Sequence, residues 1–152
     1  MPQSFCNLTY HLVFSTKQRR PWITKEFGRR LYDYLGGTIR DLGGTMLAIN
    51  GMPDHVHILT RLRQDIAVSV VLRKIKASSR KWIHGVFPDA TQFAWQSGYG
   101  AFTVSKSRIE DVRAYLDEQE QHHRTRTFQE EFVALLEAHG IEYDEKFLWD
   151  EE

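Results

Sequence analysis

A single cysteine, Cys6, stands among 152 residues. It excludes an internal disulfide framework and any zinc site built from cysteines alone. Long apolar runs are missing as well. The longest, Ile66 to Leu72, is interrupted by Ser69 and falls far short of the roughly 20 residues a membrane-spanning helix requires. Met1-Pro2-Gln3-Ser4 carries no basic segment ahead of an apolar stretch, so no secretory leader is expected and the expected location is cytoplasmic, without membrane attachment. No fixed-period repeat or low-complexity stretch interrupts the chain. What is there is an ordinary globular composition, 41% hydrophobic and 26% charged. The chain is long enough to bury a core without a staple.

The net charge of zero hides a division. Residues 1–106 hold 15 Lys and Arg against 6 Asp and Glu, whereas residues 107–152 hold 5 against 14. A basic body with an acidic C-terminal segment points to a polyanionic partner at one surface. The alternative is that the acidic segment neutralises the basic body within the fold.

Leu8 to Thr16 alternates with strand period: Leu8, Tyr10, Leu12 and Phe14 on one face, Thr9, His11, Val13 and Ser15 on the other. Thr24 caps a predicted helix with the stripe Phe27, Leu31, Tyr34, Leu35, Ile39 and Leu42, stopped by Gly43-Gly44. Thr45–Asn50 and His55–Leu62 read as a hairpin around Gly51-Met52-Pro53-Asp54. Asp65 is the expected cap of a second long helix to about Gly85, and Trp95 to Ser105 reads as a strand. Ser107 and Glu110 have the spacing of a capping box for a third helix to about His122, and Phe128 to His139 suggests a fourth. This order predicts an α+β, ferredoxin-like split βαβ fold, an antiparallel sheet with helices on one face, plus a C-terminal helix. Residues 1–123 form the expected domain, and 124–152 an acidic helical extension of it.

Two constellations carry chemistry. His55-Val56-His57 places two imidazoles on one face of a strand, where they can converge on a divalent metal, although solvent-facing histidines on strands have the same pattern. Tyr115 and Gln119 are one turn apart on the third helix, at the flank of its buried stripe of Ile109, Val112 and Leu116. Of the six tyrosines, only Tyr115 joins a helical mount to a candidate ligand one turn on. His122 and His123 lie near enough to be rival ligands, but their position at a helix end favours solvation. Arg19, Arg20, Arg61, Arg63, Arg73, Lys76 and Arg80 are candidate phosphate contacts, with Trp82, Trp95, Tyr99 and Phe102 near them as candidate stacking partners. A solvated basic face, and a core role for Trp82, are the competing readings.

Together these residues resemble the single-tyrosine HUH transposases of small bacterial insertion sequences, including those associated with repeated extragenic palindromes. Tyr10 to Phe14 with Arg19-Arg20-Pro21, Met52 to Leu59, and Trp95 to Tyr99 are similar to the family's motifs, and the resemblance spans about residues 8–122. It implies Tyr115 as nucleophile, His55, His57 and Gln119 as ligands of Mg²⁺ or Mn²⁺, and cleavage and rejoining of single-stranded DNA through a 5′-phosphotyrosine. It also implies hairpin-bearing ends of a mobile element as target, and a homodimer pairing the histidines of one chain with the tyrosine helix of the other. Residues 124–152 carry none of that chemistry. Rival readings are a replication-initiator or relaxase nuclease, and a non-catalytic module that binds hairpins.

Overall fold

The computed structural model describes residues 3–149. Its elements are β1 (Thr9–Ser15), α1 (Lys25–Asp41), β2 (Thr45–Met52), β3 (His55–Arg61), α2 (Val68–Val86), β4 (Gly100–Thr103), α3 (Ile109–Asp117), α4 (Gln119–His122), α5 (Phe128–Ala138) and α6 (Glu145–Leu148). The strands form one sheet in the order β2-β3-β1-β4, antiparallel throughout. This is the expected split βαβ arrangement.

Strand alternation divides the sheet into two chemistries. Leu12, Phe14, Val56 and Ile58 face α1 and α2, where they pack on Leu31, Leu35, Ile39, Val71, Leu72 and Ile75. The opposite face carries Val13 and Phe102, covered by Phe128, Phe132 and Leu136 of α5, and Leu59, covered by Ile109 and Leu116 of α3. The α3 segment thus lies across the sheet from α1 and α2, and α5 joins it there. Gly100 permits that approach: a Cβ at this position would lie 2.8 Å from Phe132 Cε1.

Thr24 caps α1 as expected, its side chain accepting from the Phe27 amide at 3.3 Å. Gly43, with φ of 80°, turns the chain after α1 in a conformation that costs other residues energy. Four local expectations are corrected. Asp65 does not cap α2, which starts after Ala67 without a side-chain cap; Asp65 pairs with Arg63 instead. Ser107 lies in a 3₁₀ turn, Lys106–Arg108, and α3 has no side-chain cap. The capping box belongs to α5, where Thr127 and Glu130 satisfy each other's backbone amides. The third helix also breaks at Glu118 into α3 and α4. The fourth strand is short, with Trp95 reduced to one bridge to Thr16.

Candidate metal and tyrosine site

The register of β1 against β3 sets His57 opposite Val13 and His55 opposite Ser15. Both histidines therefore face α3–α5, and both are fully buried. Asn50 Nδ2 on β2 donates to the Leu116 carbonyl at 2.8 Å and ties α3 to the sheet beside them. That bond aims the Tyr115–Gln119 flank at the histidines. Gln119 is fully buried, its Oε1 3.1 Å from His55 Nε2.

The residue that completes the cluster is Glu131 of α5, a carboxylate with 0% exposure. Its Oε1 lies 2.9 Å from His123 Nε2, 3.0 Å from His57 Nε2 and 3.3 Å from His55 Nε2. Its Oε2 accepts from Gln119 Nε2 at 2.9 Å and from the Tyr115 hydroxyl. Arg126 Nη2 donates to Tyr115 Oη at 3.1 Å. The outer nitrogens of the histidines are held too: His55 Nδ1 by Asp54 Oδ1 at 2.7 Å, and His57 Nδ1 by His11 Nε2 at 2.8 Å.

Electrostatics follow from burial and this crowding. Burial opposes ionisation of Glu131, but hydrogen bonds from His123, His55 and His57 outweigh it and hold the carboxyl well below its usual range. Burial also works against a charged His55, yet bonds to Asp54 and Glu131 raise its pKa to about 9. His57, with burial dominant, falls to about 4, and His11 to about 3. Burial, then the bond to Glu131, pushes Tyr115 above the ordinary tyrosine range.

The chemistry of this donor set fits a divalent cation. Ligand atoms of His55, His57 and Glu131 all lie within 4.8 Å of one another in a buried group. With His55 Nδ1 engaged by Asp54, a neutral His55 turns its Nε2 lone pair toward two oxygen acceptors, those of Gln119 and Glu131. Electron-rich atoms converging in this way need a proton or a cation among them. The outer-nitrogen partners Asp54 and His11 are the type that orient metal-binding imidazoles.

The expected site residues His55, His57, Gln119 and Tyr115 are thus brought together in one chain. Residues 124–152, to which the sequence assigned no role, contribute Glu131 to the cluster, and the reading of His123 as solvated is corrected by its bond to that carboxylate. Its Nδ1 also bonds the Arg126 carbonyl at 3.0 Å. Glu131, His11 and Arg126 carried no local signal beyond residue type: each acts through a partner distant in sequence or on another element.

The basic residues are dispersed. Arg73 and Arg80 are exposed on α2, across the sheet from the histidines. They line a cleft of about 590 Å³ with Tyr99. Lys76 does not stand with them: its ammonium bonds the carbonyls of Gln96 (2.9 Å) and Gly98. Arg63 is paired with Asp65, Arg61 is exposed at the end of β3, and Arg20 is exposed in the turn after β1. Arg19 sits over the Trp149 ring and lines a second cleft, near His123 and Arg126. Of the candidate stacking residues, Tyr99 is exposed, Trp95 and Phe102 are buried, and Trp82 stacks on Tyr34.

Comparison with known proteins identifies the family of the chain. The sequence profile of the family described as transposase IS200 like matches residues 4–119. This chain belongs to that family. It is 25% identical over 117 residues to the ISDra2 transposase TnpA of Deinococcus radiodurans, covering 74% of this chain and 84% of that protein. A crystallographic transposase structure from D. radiodurans R1 superposes with a TM-score of 0.65 at 25% identity, covering 78% and 98% of the two chains. A REP-associated tyrosine transposase bound to a REP hairpin shares the fold, with a TM-score of 0.55, 18% identity, and coverage of 78% and 68%. Among the described residues no helix is long and apolar enough to cross a membrane.

Proposed function

We propose that this transposase cleaves and rejoins single-stranded DNA with Tyr115 as nucleophile, through a 5′-phosphotyrosine and with a divalent metal. The observation that carries the reading is the meeting of the Tyr115 hydroxyl with the buried His55, His57, Gln119 and Glu131 donors. His55, His57 and Gln119 would hold the ion, with Glu131 Oε1 beside them. Nitrogen and oxygen donors without thiolate suit Mg²⁺ or Mn²⁺, and two imidazoles favour Mn²⁺. When bound, the ion supplies Lewis-acid polarisation of the scissile phosphate.

The protein's own groups do the rest. Tyr115 is fixed by its bond to Glu131 and by the packing of Leu116 against Leu59. That fixation matters because a phenol is a weak nucleophile at neutral pH, and orientation supplies much of what it lacks. One phosphodiester is exchanged for another, so resealing needs no nucleotide triphosphate. The substrate is a single strand at the hairpin-bearing ends of a mobile element; the relative solved on a REP hairpin supports that choice. Arg19, Arg20, Arg61, Arg73 and Arg80 supply phosphate contacts. A homodimer is the assembly the family resemblance implies.

The test is a labelled single-stranded oligonucleotide incubated with Mn²⁺ and resolved under denaturing conditions. Wild type forms a covalent species. Tyr115→Phe keeps the fold and Mn²⁺ binding and forms none. A Tyr115→Phe protein that still forms the adduct refutes the assignment.

A further inference from the structure

We infer that Arg126 is a catalytic residue of this chain, its guanidinium joining the attacking oxygen of Tyr115 to the non-bridging oxygens of the scissile phosphate. The inference rests on Tyr115 being the nucleophile. Arg126 lies beyond residues 4–119, the part matched by the family profile, so nothing in that match assigns it a role.

The geometry is direct. Arg126 Nη2 donates to Tyr115 Oη at 3.1 Å, while the same hydroxyl donates to Glu131 Oε2. The phenol oxygen is held between a donor and an acceptor, which fixes where its remaining lone pair points. A guanidinium has five N–H donors in a planar fork. One is used here, and among the described residues no carboxylate forms an ion pair with Arg126. A half-buried arginine with no carboxylate in ion-pair contact among the described residues, at the edge of a cleft, is suited to the bidentate binding of a phosphate.

Its mount is rigid. The Arg126 carbonyl is bonded by His123 Nδ1 at 3.0 Å. The next residue, Thr127, opens the capping box of α5. The cleft is about 650 Å³ and is lined by Arg19, Arg124 and Arg126, with Asp54 and Glu130 on its walls. Its three arginines outnumber its acids, and it opens beside Phe128, which stacks on His55, and His123, whose ring is tilted against it. The occupant we assign is the sugar–phosphate backbone of a single DNA strand.

In the step, the Tyr115 Oη–P bond forms and the P–O3′ bond breaks. The phenolic proton is released to water as the new bond forms, and the departing 3′-oxygen takes one up from water, so no net proton is consumed. Arg126 exchanges no proton. It offsets negative charge that grows on the phosphate oxygens as the new bond forms, the task of an electrostatic stabiliser.

The experiment follows adduct formation with an oligonucleotide in Mn²⁺ for wild type, Arg126→Lys, Arg126→Ala and Tyr115→Phe. Mn²⁺ affinity is measured in parallel by calorimetry. Arg126→Ala should slow adduct formation roughly 10²–10³-fold with Mn²⁺ affinity unchanged. Arg126→Lys should recover part of the rate, and added guanidinium ion should speed Arg126→Ala but not wild type. An Arg126→Ala rate within threefold of wild type overturns the inference. So does a slow rate accompanied by an equal fall in Mn²⁺ affinity, because the residue would then only support the fold of the site. Adduct formation by Tyr115→Phe would instead overturn the nucleophile assignment, and this inference with it.

Discussion

His11 and His57 meet across β1 and β3, with His11 Nε2 2.8 Å from His57 Nδ1 and the rings stacked at 5.0 Å. They are diagonal neighbours on the sheet, since His57 is registered with Val13. For His57 to present a lone pair from Nε2, its proton must sit on Nδ1 and be accepted by His11. Replacing His11 with Ala should lower Mn²⁺ affinity about 10–100-fold, as read by calorimetry. His11→Gln, which keeps an acceptor, should lose less. Unchanged affinity in His11→Ala would show that the contact does not set the His57 tautomer.

Without metal the same histidines give stability a maximum near pH 6.5. The His55 pKa is raised to about 9 from 6.5, so its contribution is fully present below pH 6.5 and is lost as pH rises through 9. That loss is on the order of 3 kcal/mol. His57 and His11 are lowered to about 4 and 3, so the unfolded chain binds more protons below pH 6.5 and stability falls toward acid as well. Ionised Glu131 adds to the acid loss below its ordinary value of 4.5. Thermal melts in chelator from pH 4.5 to 9 test this, and His55→Asn should flatten the alkaline limb alone.

Tyr115 reaches the histidine cluster within one chain, through Glu131. Mixing inactive Tyr115→Phe with inactive His57→Ala should therefore give no adduct above background. Recovery toward a quarter to a half of wild-type activity would mean that the tyrosine helix of one chain serves its partner.

Arg73 and Arg80 project from α2, but Lys76 is bonded to backbone carbonyls between them in sequence. Replacing both arginines with alanine should reduce the salt slope of single-strand binding by about 0.7 for each phosphate that is no longer neutralised. Lys76→Met should leave the slope alone and change the melting temperature. The opposite result would put DNA against the Lys76 loop.

The parts of the fold and site written in local periodicity were legible. Alternation over Leu8–Thr16 separated the His11 face from the Leu12 face, and the His55–His57 spacing put both rings on one side of β3. One-turn spacing on the third predicted helix brought out Tyr115 and Gln119. Glu131 was not legible, because a buried glutamate in an acidic helix looks like a solvated one until its partners are known; His57 lies 74 residues away. The expected capping box at Ser107 failed for a related reason. Ser107–Glu110 and Thr127–Glu130 have the same local pattern, and only packing decided that the first enters a 3₁₀ turn.

The separation of Glu131 from His57 also governs when the site can exist. During synthesis β1, β3 and β4 can pair once residue 103 has emerged, but their second face then waits for α5. Until Phe128, Phe132 and Leu136 arrive, Val13 and Phe102 lack their cover, and Tyr115 has neither its Glu131 acceptor nor its Arg126 donor. A nascent chain thus carries the histidine pair well before Tyr115 gains its partners. Assembly of the tyrosine site waits for the emergence of α5.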